Sequence, residues 1–247
     1  MDSDISQLIL QEEELKHNLD MMRPFSDIQL QNLKQRFRIG YIQQTNALEG
    51  NTLTLSEVKV LLEDGITIGG KTIREIRETT NHAEIMTLLW DLFDHTINTD
   101  ITLSRILNIH RWLMDGTLDT RYLWSRRDIQ VVISGSEDQF PHPSQVETLM
   151  NNFIASSDCN PHWLENIARI HYNFVKIHPF VDGNGRIARL LMNIGLIKCW
   201  YFPIIIPTVT RHEYISSLQG DNFESWYRFF VRQVIENHKD YIRFFTK

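Results

Sequence analysis

An all-α domain with one small β-hairpin is the fold this sequence predicts. Three observations carry the expectation. Apolar residues recur at helical spacing through most of the chain. Capping residues, prolines and glycines bracket several of those stretches. One short β-branched run, Ile129-Gln130-Val131-Val132-Ile133, breaks the pattern and leads into Ser134-Gly135-Ser136-Glu137-Asp138 and Phe140-Pro141-His142-Pro143.

The elements follow in chain order. Residues 6–21 read as a first helix, with Leu8, Ile9, Leu15 and Leu19 on its apolar side. Asp27–Leu48 is a second. Ile28, Leu30, Leu33, Phe37, Tyr41 and Leu48 recur there around Gly40, and Gly50 lies just past its end. Residues 56–63 are a short helix capped by Ser56 and stopped near Gly65. Thr67-Ile68-Gly69-Gly70-Lys71 is a turn. A long helix over 73–94 turns Ile76, Ala83, Met86, Leu89 and Phe93 inward, and 104–114 does the same with Ile106, Leu107, Ile109, His110 and Leu113. After the hairpin, the helices over 143–156 and 161–177 carry a proline near their start. The second bears Ile167, Ile170, Phe174 and Ile177 on one face, and its His171, among apolar neighbours, is expected to be a packed core residue. An apolar helical run over 190–200, a short helix around Tyr214 and an aromatic-rich helix over 223–245 complete the chain.

Composition narrows the function. With 247 residues, 42% of them apolar, the chain can bury a large core. Its 31 acidic and 25 basic residues leave a net charge of −6, and no Lys/Arg run appears, which argues against a nucleic-acid partner. Cys159 and Cys199 are the two cysteines, as expected in a reducing compartment. Met1-Asp2-Ser3-Asp4 lacks a basic-then-apolar signal, and Lys198 and Pro203 interrupt the longest apolar run. The expected setting is therefore cytoplasmic, away from the membrane.

The chemistry concentrates in His178-Pro179-Phe180-Val181-Asp182-Gly183-Asn184-Gly185-Arg186-Ile187-Ala188-Arg189. Gly183 and Gly185 allow positive φ and close backbone approach, so N–H groups can converge on an anion. The following helix directs its unpaired N–H groups and positive dipole end to the same place. Arg186 and Arg189 share one helical face, with Asn193 in the same sector, and their planar forks suit phosphate oxygens. That helix is apolar nearly all round, hence buried, and buried arginines need anionic partners. Asp182 could hold Mg²⁺ beside substrate phosphates. His178 is the candidate general base. A plain helix-start loop capped by Asp182 is the bland alternative, and it does not explain two arginines on a buried helix. A metal site from His178 and Asp182 lacks a second His or Cys at ligand spacing.

This string resembles the signature of the Fic family, His-x-Phe-x-Asp/Glu-Gly-Asn-Gly-Arg-x-x-Arg, and every fixed position matches. The resemblance implies a Fic-fold helical bundle with a flap, and an adenylyltransferase that moves AMP from ATP to a protein hydroxyl. It implies that His178 deprotonates the target Ser, Thr or Tyr. Asp182 would hold the Mg²⁺ (or Mn²⁺) that bridges the α- and β-phosphates. Gly183, Asn184 and Gly185 would form an anion hole, Arg186 would meet the β-phosphate and Arg189 the γ-phosphate. Phe180 would anchor the loop. Relatives that phosphorylate their target carry Lys where this chain has Gly185.

A second motif lies upstream, Thr45-Asn46-Ala47-Leu48-Glu49-Gly50-Asn51. Alone it is an ordinary helix stop with an exposed acid. Beside the first motif it resembles the Ser/Thr-x-x-x-Glu-Gly/Asn inhibitory helix of Fic proteins, and Thr52-Leu53-Thr54-Leu55-Ser56-Glu57 continues that likeness. The resemblance pairs Glu49 with Arg189 in the γ-phosphate site. It divides the chain into an N-terminal extension over 1–66, with the inhibitory helix at about 27–50, and a core over 67–247. Within the core lie the flap, at about 128–143, and the motif at 178–189. Val131, Val132, Ile133 and Ser134 of the flap would bind the target by strand addition. Tyr214 and Gln219 would contribute to an adenine pocket. The implied partners are ATP and a hydroxyl-bearing protein, including the chain itself, and a second copy in a homodimer. Removal of AMP from a modified protein, another nucleotide donor, and a toxin–antitoxin-type interaction module are the alternatives.

Overall fold

The computed structural model describes residues 3–93, 100–131, 139–157 and 163–246. Ten α-helices run through these residues: α1 (Ser3–Met21), α2 (Asp27–Leu48), α3 (Leu55–Lys59), α4 (Ile73–Phe93), α5 (Leu103–Met114), α6 (Pro143–Ser156), α7 (Trp163–Ile177), α8 (Asn184–Lys198), α9 (Arg211–Leu218) and α10 (Phe223–Phe245). None is long and apolar enough to cross a membrane.

Local chemistry sets the boundaries. Ser26 and Gln29 form a reciprocal capping box that starts α2 where its periodicity begins. Gly40, mid-helix, has a packing reason: a Cβ there would lie 3.1 Å from Ile205 Cδ1. The short third helix starts earlier than expected, because Thr54 and Glu57 form the capping box and place Ser56 inside the first turn. It runs into a π-turn over Val60–Asp64 that ends at Gly65, φ +67. Thr102 caps the fifth helix, so α5 starts at Leu103, one residue before the expected start. The apolar run over 190–200 proves to be the later part of α8, whose first turn is the glycine motif itself.

The central helix lies between two apolar clusters. On one side, Leu33, Phe37 and Ile42 of α2, Met86 and Leu89 of α4, Ile106 and Ile109 of α5 and Phe174 of α7 meet Ile187 and Leu191. On the other, Ile5 of α1 and Trp226, Phe230 and Val234 of α10 meet Met192 and Leu196. Every residue of α8 from Arg186 to Ile197 is buried. Burying one large apolar side chain contributes roughly 1.5–3 kcal/mol, so the two clusters together hold this helix rigidly. After α8 the chain folds back, and the Asn193 carboxamide both donates to Ile204 O and accepts from Ile204 N, at 3.0 and 2.8 Å. His171 is fully buried and stacks on Trp226, the packed role its neighbours imply.

The expected hairpin is not present as strands among the described residues. Val131 is irregular, and Val132, Ile133 and Ser134 lie outside the described residues. The two stems are tied by side chains instead: Gln130 Nε2 donates to Phe140 O at 3.0 Å. Phe93, expected in the core, ends α4, and nothing is described of its side chain.

Candidate active site

The loop between α7 and α8 is built from the inside. Phe180 is fully buried and stacks on His110, ring centroids 3.8 Å apart. The Asn184 carboxamide clasps the Phe180 peptide, accepting from its N–H at 2.9 Å and donating to its carbonyl at 2.8 Å. Gly183 caps α8 at φ +86, and a Cβ there would sit 2.8 Å from Met114 Sδ. Both the left-handed backbone and the contact require glycine. Gly183→Ala is therefore expected to lower stability by about 1–3 kcal/mol, read as a drop in the denaturation midpoint. An unchanged midpoint would show that the loop is not built on this strained turn.

His178 lies at the mouth of this loop with φ +48. Its Nδ1 faces Val175 O at 3.3 Å, and a carbonyl only accepts, so Nδ1 carries the proton and Nε2 keeps its lone pair. The ring stacks on Phe140, centroids 4.0 Å apart. Burial drives its pKa down to about 4, with the Arg127 charge adding to the effect and the Val175 carbonyl opposing it. The imidazole is thus neutral at physiological pH, as a proton acceptor must be. The same shift affects stability. The folded group titrates near 4 and the ordinary one at 6.5, so between these values only the unfolded chain takes up the proton. That stabilisation is complete above 6.5 and is lost as pH falls toward 4. His82 and His171, buried and lowered in the same direction, add to it. The thermal midpoint is expected to fall between about pH 6.5 and 5, where carboxylates stay ionised. A flat profile there would contradict these buried neutral imidazoles.

Two guanidinium groups stand behind the loop, each 2% exposed. Arg186 Nη2 meets Asp182 Oδ1 at 3.3 Å, and its Nη1 lies 3.4 Å from Glu78 Oε1. Its Nε and Nη1 nevertheless have no hydrogen-bond partner, which leaves donor capacity for an anion. Asp182 is shared: Oδ2 accepts from Arg74 Nη2 at 2.9 Å, and Oδ1 accepts from the Gly183 N–H at 2.6 Å. Among the described residues no cluster of three His, Cys, Asp or Glu forms a metal cage. One accessible carboxylate beside unsatisfied arginine donors suits a hard cation that brings water and phosphate oxygens as its other ligands.

Arg189 is held by the other motif. Its Nη2 meets Glu49 Oε1 at 2.6 Å and Thr45 O at 3.0 Å, Nε donates to Thr45 Oγ1 at 2.8 Å, and Nη1 to Tyr214 OH at 3.2 Å. Burial alone would lower its pKa, but Tyr214 and Glu49 outweigh burial and raise it. The Glu49 carboxylate lies directly over the first turn of α8: a Cβ on Gly185 would come within 2.5 Å of Glu49 Oε1. The acid therefore occupies the place where the helix N-terminus and Arg189 attract an anion.

The fold thus brings together His178, Asp182, Gly183, Asn184, Gly185, Arg186, Arg189, Glu49 and Thr45. Tyr214 joins them through its hydroxyl. It is buried, its hydroxyl meets His171 Nε2 at 3.1 Å and accepts from Arg189, and its ring packs on Trp226. Gln219 is exposed, next to Gly220, whose carbonyl accepts from Tyr172 and Lys176 near the end of α7. The sequence offered no sign of Glu78 or Arg74, which reach the loop from α4. Arg127 reaches the same loop from the chain before the 128–143 segment and donates from Nε to His178 O at 2.7 Å. Charged residues at the start of a helix or beside a turn carry no local signal of such distant partners.

Known proteins resemble this chain in sequence and in fold. The Fic/DOC family model matches residues 100–196. The chain is 33% identical over 199 residues to "Protein adenylyltransferase fic-1" of Caenorhabditis elegans, covering 80% of this chain and 39% of that protein. It is 34% identical over 235 residues to "Protein adenylyltransferase Fic" of Aedes aegypti, covering 91% and 45% respectively. The chain therefore spans less than half the length of these curated relatives. Among solved structures, Fic-1 (residues 134–508) from C. elegans superposes with a TM-score of 0.84 at 27% identity, covering 96% of this chain and 71% of that one. A Fic-domain signaling protein from Bacteroides thetaiotaomicron shares the fold over 99% of this chain and 97% of its own, with a TM-score of 0.80 at 23% identity. By its motif, its helical architecture and these relatives, this chain carries a Fic domain of the Fic/DOC family.

Proposed function

We propose that this protein is a protein adenylyltransferase, moving AMP from ATP to a Ser, Thr or Tyr hydroxyl of a protein, itself included. The observation that carries the reading is a neutral imidazole at the mouth of a loop that is backed by two buried arginines, one with unpartnered N–H groups. The relatives named protein adenylyltransferase support the same chemistry. In this reading His178 Nε2 takes the proton of the target hydroxyl. The hydroxyl oxygen bonds to the α-phosphorus, the bond from that phosphorus to the bridging oxygen breaks, and pyrophosphate leaves. Arg186 and the N–H groups at the start of α8 offset the charge that develops on the phosphates. Asp182 would hold a Mg²⁺ or Mn²⁺ ion, whose charge supports the departure of pyrophosphate.

The resting protein is inhibited in this account. The 27–50 segment presents Glu49, and the Glu49–Arg189 pair fills the subsite that the terminal phosphate of ATP would need. The 1–66 region acts as the regulatory part and 67–247 as the catalytic part, although both contribute to one apolar cluster. The negative charge and the two cysteines support a cytoplasmic enzyme that does not act on nucleic acid. The test compares ATP labelled at the α-phosphate with ATP labelled at the γ-phosphate, using the Glu49→Gly protein. Label retained from the α position alone supports adenylyl transfer. Label retained from the γ position would replace it with phosphoryl transfer.

A further inference from the structure

Arg127 is 3% exposed, and among the described residues no carboxylate pairs with it. A buried cation without an acid is costly and calls for an explanation. Its Nε donates to His178 O at 2.7 Å, Nη1 to Ile129 O at 3.1 Å and Nη2 to Pro141 O at 2.5 Å. Its own N–H donates to Pro179 O at 2.8 Å. All four acceptors are main-chain carbonyls. Two belong to the His178 loop, and the other two belong to the opposite stems of the 128–143 segment.

We infer that Arg127 is a positioning residue for His178, a strut that ties the stems at Ile129 and Pro141 to the backbone of the base. The inference rests on the proposed role of His178. Successive carbonyls, at 178 and 179, are each pinned by this one residue, which fixes the peptide that leaves His178. His178 itself sits at φ +48, a conformation a non-glycine residue adopts when its surroundings impose it. The ring that must face the hydroxyl is also stacked on Phe140, adjacent to the Pro141 carbonyl that Arg127 holds. A shift of the stems at Ile129 and Pro141 would therefore move the same guanidinium that orients the base. Burial lowers the Arg127 pKa, and its charge in turn lowers that of His178. A lysine offers one compact ammonium and cannot span three carbonyls held in a fork.

The test uses the full chain with Glu49→Gly, adding Arg127→Met, Arg127→Lys or Arg126→Ala. Arg126, paired with Glu147 at 3.3 Å, is the neighbouring control. Self-modification at saturating ATP is expected to fall about a hundredfold in Arg127→Met, the size of loss a base displaced by about 1 Å produces. Arg127→Lys loses part of the rate, the KM for ATP stays unchanged, and Arg126→Ala behaves as Glu49→Gly alone. The His178 titration, followed by NMR, moves upward in Arg127→Met because a neighbouring charge is gone, while the fall in rate at unchanged KM separates positioning from a general loss of structure. A folded Arg127→Met protein with full rate overturns the inference. No label in Glu49→Gly itself would instead overturn the transfer reading. If Arg127→Met does not fold, the native protein decides: its Arg127 Nε–H must exchange slowly and lie close to His178 in NMR, and a rapidly exchanging signal overturns the inference.

Discussion

Replacing Glu49 with glycine is expected to raise self-modification by about 10- to 100-fold. The estimate follows from the contact that ATP must otherwise displace. Glu49 meets Arg189 at 2.6 Å, and a charge-assisted hydrogen bond contributes about 1.5–3 kcal/mol, equivalent to roughly one to two orders of magnitude in occupancy. The Glu49 side chain is 37% exposed while that of Arg189 is 2% exposed, so solvent screening places the gain toward the lower part of that range. Removing the acid leaves Arg189 held by Thr45 and Tyr214, with one N–H of Nη2 released toward the phosphate while Nη2 still meets Thr45 O. The helix that carries Glu49 is spared, because position 49 is already its C-cap. The measurement is the initial rate of label incorporation at fixed ATP. An unchanged rate with Mg²⁺ and with Mn²⁺ would remove Glu49 from any inhibitory role.

The opposite effect is expected at His178. His178→Ala in the Glu49→Gly protein should lower transfer by about 10²- to 10⁴-fold, the contribution of a positioned general base, while ATP affinity measured by calorimetry stays close to that of the parent. The groups proposed to bind phosphate belong to α8 and its first turn, away from the contacts that the His178 ring makes. It stacks on Phe140 and bonds to Val175 O, so its loss leaves Arg186 and Arg189 in place. The pH dependence gives an independent check. With the imidazole neutral down to about 4, the base-dependent rate should persist into mild acid and fall only near that value. An acid limb near the ordinary 6.5 would mean that burial does not control this histidine during turnover.

Legibility in the sequence followed the range of each interaction. Asp27–Leu48 was readable because its periodicity and its Gly50 stop lie within one segment. The 178–189 string was readable because loop, cap and arginines are contiguous, and because α8 is apolar enough to be recognised as buried. Competing local signals blurred the finer boundaries, as where Thr54 rather than Ser56 captured the helix start. Glu78 and Arg74 lie more than a hundred residues before Asp182 and Arg186, and Arg127 lies 51 before His178. No periodicity spans such separations, so those partners emerge only when the chain has folded. Tyr214 adds a link of the same kind, its hydroxyl joining Arg189 and His171 across the core.

The central claim is that one site both transfers AMP and is held shut by Glu49. Intact-mass analysis of the unaltered protein, Glu49→Gly and Glu49→Gly/His178→Ala after incubation with ATP and Mg²⁺ tests it most directly. The account predicts that the mass of one or more AMP groups appears in Glu49→Gly, is nearly absent from the unaltered protein and is lost again in the double variant. Equal modification of all three, or none in Glu49→Gly despite calorimetrically confirmed ATP binding, would contradict it.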